Sequence, residues 1–158
     1  MKMALAGILA CFCIAFASSP VNGNPTQSSN PISSWNEVVL AIAEDEDGFL
    51  TLKGLRTATM MHIAIHDAIA AIDGSYAPYI YGEHIDDADP IVAATQAAFT
   101  VATDQYPAHY DQLASLKDQW LSATAEGHEK EAGILVGKES AAAILKNRVG
   151  DGWDTAAE

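Results

Sequence analysis

Cysteine is nearly missing from this chain. Its 158 residues hold two, Cys11 and Cys13, and both fall in a stretch that reads as a leader. The mature chain then has no thiol and no disulfide, so its stability has to come from packing. Cations are also scarce: 8 Lys and Arg face 21 Asp and Glu, for a formal charge of −13. Such a balance argues against nucleic acid and anionic membrane surfaces, and favours a small-molecule or protein partner. Aromatics make up 8% of the residues and strand-type alternation is almost lacking, while alanine is abundant. The fold class expected is therefore all-α, a bundle of about five helices in one domain. Apolar runs stop short of the ~20 residues of a comfortable membrane span. No Gly-x-Ser-x-Gly elbow, phosphate-binding glycine loop, Ser/His/Asp set or internal repeat is present.

What is there falls into four stretches. Residues 1–23 read as a secretory signal peptide: Lys2, then the apolar run Met3 to Ala17, with a small-x-small cleavage site at Ala15-Phe16-Ala17 or cleavage after Gly23. Ile8-Leu9-Ala10-Cys11 resembles a lipoprotein box, but the apolar run continues well past it. The destination expected is periplasmic or extracellular. Residues 24–33 form a Pro, Ser and Asn-rich tether, 34–153 a helical domain, and 154–158 a truncated or disordered end.

The organising stretch is 52–73, with Leu55, Ala58, His62, Ile65, Ile69 and Ile72 on one stripe and Met61, Ala64, Ala68 and Ala71 on a second. Apolar over most of its circumference, it is placed at the centre of the bundle and ended by Gly74. Before it, Ser34-Trp35-Asn36-Glu37 reads as a capping box opening a helix to about Ala43, with Trp35, Val38, Val39 and Ile42 inward. After it comes a loop, Ser75 to Asp89, whose tyrosines are expected to cover the helix end with wet hydroxyls. Asp89-Pro90 caps a helix to about Gln105, burying Val92, Ala93, Ala97, Phe99 and Ala102. Pro107 starts another to about Ala125, with Tyr110, Leu113, Leu116, Trp120 and Leu121 inward. The last spans about Glu129 to Val149, with Gly133, Gly137 and Ala141 as a close-contact ridge and Leu135, Ala142, Leu145 and Val149 as its apolar stripe.

Several residues invite a chemical reading. His62 and His66 project from one side of the central helix at the spacing of a metal chelate. Ile63 stands where a zinc protease needs its glutamate, and a third ligand would have to come from His84, His109, His128 or a distant carboxylate. The plainer expectation is that His62 is a seam histidine bonded to a neighbouring helix and His66 borders the surface. Asp45, Asp47 and Gly48 suggest a calcium loop, yet Ala43 and Gly54 occupy its first and last ligand positions, so an acidic linker is expected. The cluster His84, Asp86, Asp87 and Asp89 reads as a solvated turn, and Asp104, Asp111 and Asp118 as a wet face. Arg56 and Asp67, three turns apart, are each expected to meet a partner on a neighbouring helix. No catalytic, cofactor-binding or metal residue is assigned.

One family resemblance spans about Trp35 to Trp153. It rests on Trp35-Asn36-Glu37, Arg56 with Met61-His62-Ile63-Ala64-Ile65 and Asp67-Ala68, then Ile72-Asp73-Gly74-Ser75-Tyr76 and Ala77-Pro78-Tyr79. It continues through the alanine-rich helix to Tyr106-Pro107, then Gly133, Gly137, Ala141 to Leu145, Arg148 and Asp151-Gly152. The pattern resembles the N-terminal part of secreted bacterial proteins of the vanadium-dependent haloperoxidase and type-2 phosphatidic acid phosphatase superfamily. His66 departs from it, standing where an aromatic residue is usual. The resemblance implies that the chemistry, vanadate-dependent halide oxidation by peroxide or phosphoester hydrolysis, lies in a C-terminal half with a Pro-Ser-Gly-His motif. That motif is not in this sequence, and Arg56 and Arg148 are its only arginines. The chain is thus expected to be a helical scaffold with no cofactor of its own, vanadate belonging to a full-length relative. Its expected partner is that catalytic half, or a second copy meeting the faces Ala64–Ala71 and Gly133–Ala141. The alternative is a free-standing periplasmic helical binding module.

Overall fold

A computed structural model describes residues 30–48 and 51–153. Residues 1–29, on which the expected leader and most of the expected tether fall, and 154–158, the expected truncated or disordered end, lie outside the described residues. Within them the chain is all-helical: α1 (Pro31–Asp47), α2 (Leu52–Asp73), α3 (Pro90–Gln105), a 3-10 turn (Pro107–His109), α4 (Tyr110–Leu121) and α5 (His128–Asn147). No helix among the described residues is long and apolar enough to cross a membrane.

The chain ends of α2 and α3 follow their local signals. Thr51 Oγ1 accepts from the Gly54 N–H at 3.2 Å at the start of α2, and Gly74, at φ 67°, closes it in the left-handed region. At α3, Asp89 Oδ1 accepts from Ile91 and Val92 N–H at 2.8 and 2.9 Å ahead of Pro90. Helix α1 differs from expectation at both ends. Its cap is Asn30, whose Oδ1 accepts from Ile32 N–H at 2.9 Å, with Pro31 in the first turn; Ser34 lies buried inside the helix. An Asn-Pro pair is the same signal as Asp89-Pro90, and it prevails over the Ser34-x-x-Glu37 box. At the other end the helix runs past Ala43 to Asp47, and Gly48 turns it at φ 72°. The acidic stretch is thus a last helical turn rather than a linker or a calcium loop. Carboxylates there oppose the helix dipole. Lys53 Nζ at 2.9 Å and His109 Nε2 at 3.3 Å from the Glu46 carboxylate offset this.

Helix α3 packs on all four other helices, while α2 packs on α1, α3 and α5. The two share the centre, and α3 is the one closed on nearly every side: Val92 through Phe99 are all buried. On α2 the small-residue face points inward. Met60, Met61, Ala64, Ile65, Ala68 and Ala71 are buried, Ala58, Ile69 and Ile72 are half-buried, and Leu55 and His62 are exposed. The reason is close backbone approach, since Ser140 Oγ of α5 donates to the Ala64 carbonyl at 2.7 Å.

The α3–α5 seam depends on the glycine ridge. A methyl placed at Gly133 would sit 2.7 Å from the Asp89 carbonyl oxygen, and one at Gly137 would collide with the Ala93 carbonyl. Around that ridge α5 buries Val136, Ser140, Ala141 and Ile144. The stripe expected from Leu135, Ala142, Leu145 and Val149 is instead peripheral: Leu135 and Val149 are 56% and 81% exposed. The small residues of the faces Ala64–Ala71 and Gly133–Ala141 are thus buried within the bundle. Helix α4 buries Leu113 and Leu116, ends at Leu121 rather than Ala125, and leaves Tyr110 exposed, its ring in an edge-on contact with Phe99 at 5.7 Å between ring centres.

Candidate functional site: an apolar groove on α2

Because the small residues of α2 turn inward, the opposite side of the helix is left open. Leu55, Ala58, Thr59, His62, Ile63 and His66 recur at spacings of three and four along it. From Leu55 to His66 this strip runs about 16 Å, at 1.5 Å per residue. Ala77, Pro78 and Tyr79 face it as a second wall, and the two enclose a groove of about 540 Å³.

The second wall is held in place by two consecutive α2 residues. Asp67 is buried, and its carboxylate accepts three backbone N–H groups: Tyr79 at 2.6 Å, Ile80 at 2.8 Å and Tyr81 at 2.9 Å. A buried carboxylate is tolerated when its oxygens are bonded in this way. His66 Nε2 donates to the Ala77 carbonyl at 3.1 Å. Further along, Ile85 N–H and His84 Nδ1 both bond the Ala71 carbonyl, at 2.9 and 3.1 Å. Tyr81 turns inward and donates its hydroxyl to Glu139 Oε2 at 2.8 Å; burial and that carboxylate push its pKa well up. Tyr76 and Tyr79 stay 66% and 62% exposed, so of the three loop tyrosines Tyr81 is the one that buries its ring.

His62 is the expected seam histidine: its Nε2 meets Asn36 Oδ1 of α1 at 3.1 Å. Although the residue as a whole is exposed, its ring is partly covered beside α1, and that partial burial lowers its pKa from the usual imidazole value. Both groove histidines thus commit Nε2 to an oxygen within the fold. Of the other histidines, His84 approaches Asp86 at 3.4 Å and His109 pairs with Glu46. Among the described residues no group of three His, Cys, Asp or Glu is placed to hold a metal ion. Asp89 is spent as a helix cap, and Asp104, Asp111 and Asp118 are exposed.

No protein-family model, curated protein or solved structure matches the chain. Its function therefore has to be read from the site itself.

Beside the groove, sharing Thr59 with it, lies a second and polar constellation. Arg56 donates from Nη1 to Gln105 Oε1 of α3 at 3.1 Å, from Nη2 to the Arg148 carbonyl at 3.4 Å, and to Asp151 Oδ2 from Nε and Nη2 at 3.3 and 3.0 Å. Its guanidinium also lies 5.5 Å from the Trp153 ring centre. The Arg56 hydrogen bond holds the Asp151 carboxyl below its usual range. Arg56 therefore meets a neighbouring helix as expected, whereas Asp67 meets a loop. Sequence reasoning missed the groove wall entirely. The available signal was Asp67, an aspartate within the apolar body of α2, twelve residues ahead of Tyr79 in a loop rich in Pro and Tyr.

Proposed function

We propose that the chain is a helical scaffold, the N-terminal part of an exported protein of the vanadium haloperoxidase or type-2 phosphatidic acid phosphatase kind. The observation that carries this reading is how its cations are used. An oxyanion cage needs cations facing the anion. Arg56 is instead committed to Gln105, Asp151 and a backbone carbonyl, and no Lys or Arg lines the groove. The uncovered apolar strip of α2 suits a surface that another part of such a protein leans on. Purified and supplied with vanadate, peroxide and bromide, the chain is expected to oxidise no halide and to give no saturable vanadate signal. Turnover or saturation would refute the scaffold reading.

A second reading, a free-standing helical binding module, is favoured by the double anchoring of the groove wall through Asp67 and His66. A preformed concave site is what a binding protein needs. This reading expects a monodisperse chain with a single cooperative unfolding transition. A scaffold that needs its other half is expected to aggregate through Leu52, Leu55 and Tyr79.

A further inference from the structure

We infer that the α2 groove binds a neutral phenol-type ligand, an aromatic ring carrying one hydroxyl donor; this rests on the binding-module reading. Its volume of about 540 Å³ falls within the ~300–1,000 Å³ of small-molecule sites. Leu55, Ala58, Ile63 and Pro78 supply apolar surface, and the exposed Tyr79 ring and two imidazoles supply aromatic faces for an offset or edge contact.

The polar atoms decide what the ring must carry. A carbonyl only accepts, so the His66 bond to Ala77 fixes the hydrogen on Nε2 and leaves Nδ1 as an acceptor in the neutral ring. His62 donates likewise to Asn36 Oδ1, and partial burial of its ring disfavours the charged form. The Thr59 hydroxyl spends its hydrogen on the Leu55 carbonyl at 2.8 Å. The groove therefore offers these acceptors together with the exposed Tyr79 hydroxyl, which can donate or accept, so a ligand hydroxyl that does both suits it. Charge is excluded from both sides. No Lys, Arg, Asp or Glu lines the groove to pair with an ion, and a chain of formal charge −13 repels anions further. Phenols meet each requirement: planar, neutral at pH 7, and good donors to an imidazole nitrogen.

Titration of the purified chain with 4-methylphenol, toluene and benzoate, followed by ¹H–¹⁵N correlation spectra, tests the inference. The expected result is saturable shifts confined to 55–66 and 77–79 with 4-methylphenol, affinity about tenfold lower for toluene, which lacks the hydroxyl, and none for benzoate. Leu55→Glu, at an exposed position, is expected to abolish binding while leaving the spectrum dispersed. His66→Phe keeps a ring but removes the acceptor, and should bring 4-methylphenol and toluene to near parity. Toluene matching 4-methylphenol on the unmodified chain, or a dispersed spectrum that no ligand shifts, would overturn the inference and leave the binding module intact. A poorly dispersed, aggregated sample would overturn both.

Discussion

The α3–α5 seam and the outer face of α2 are opposites built from the same alanine-rich material. At the seam, glycines bring backbones into contact, and a single added methyl at Gly137 has nowhere to go. On the outer face larger side chains stand uncovered, with Leu52 76% and Leu55 48% exposed. At the seam, close backbone approach decides which side of α5 packs, although Leu135 and Val149 on its other side are more apolar. The inner face of α2 is set in the same way by Ala64, Ala68 and Ala71, with Met60, Met61 and Ile65 filling in around them, and the groove forms on the side left over.

The largest expected effect tests the seam. Gly137→Ala should cost about 2–3 kcal/mol in urea unfolding, because overpacking against a backbone carbonyl outweighs the ~1 kcal/mol gain in helix propensity. Leu135→Ala, two residues away on the exposed side of the same helix, should stay within about 0.5 kcal/mol. Equal losses at the two positions would break the contrast. Next comes the groove wall. Asp67→Asn swaps a carboxylate that accepts three N–H groups for an amide with one acceptor oxygen, at a cost of about 2 kcal/mol. Amide exchange should speed up at Tyr79, Ile80 and Tyr81 far more than within α3.

The Arg56 clasp predicts a pH effect of known sign. Asp151 has its carboxyl lowered from 3.8 in the folded chain by the Arg56 hydrogen bond. It therefore adds stability that is fully present above about pH 4 and is lost as pH falls through the lowered value. In Arg56→Met the Asp151 carboxyl should titrate closer to its ordinary range by NMR. The smallest effect is expected at Thr57, whose fully buried hydroxyl has no hydrogen-bond partner. Replacing it by the isosteric valine should stabilise the chain by about 0.5–1 kcal/mol, read from the urea midpoint.

Much of the fold was legible because helix ends carry local chemistry. Gly74 and Asp89-Pro90 fixed the limits of α2 and α3 as the structure has them. Asn30-Pro31 carries the same chemistry and caps α1 in place of the Ser34 box one turn later. Periodicity could not orient α2, since its two stripes are both apolar and nothing local says which will meet α3 and α5. The α5 stripe misled for the same reason: the glycine ridge, not Leu135 or Val149, decides which side packs. The groove was hard to read because its wall is held by backbone N–H groups of Tyr79 to Tyr81, and Asp67, their acceptor, is the one side chain of that clasp the sequence displays.

The central claim, a closed α3 beside an open outer face on α2, is tested most directly by solvent paramagnetic relaxation with a soluble, uncharged probe. The account predicts strong relaxation at the side chains of Leu55, His66 and Tyr79 and almost none at Ala97, Val101 and Ala141. Equal shielding of both sets in the monomeric chain would contradict it.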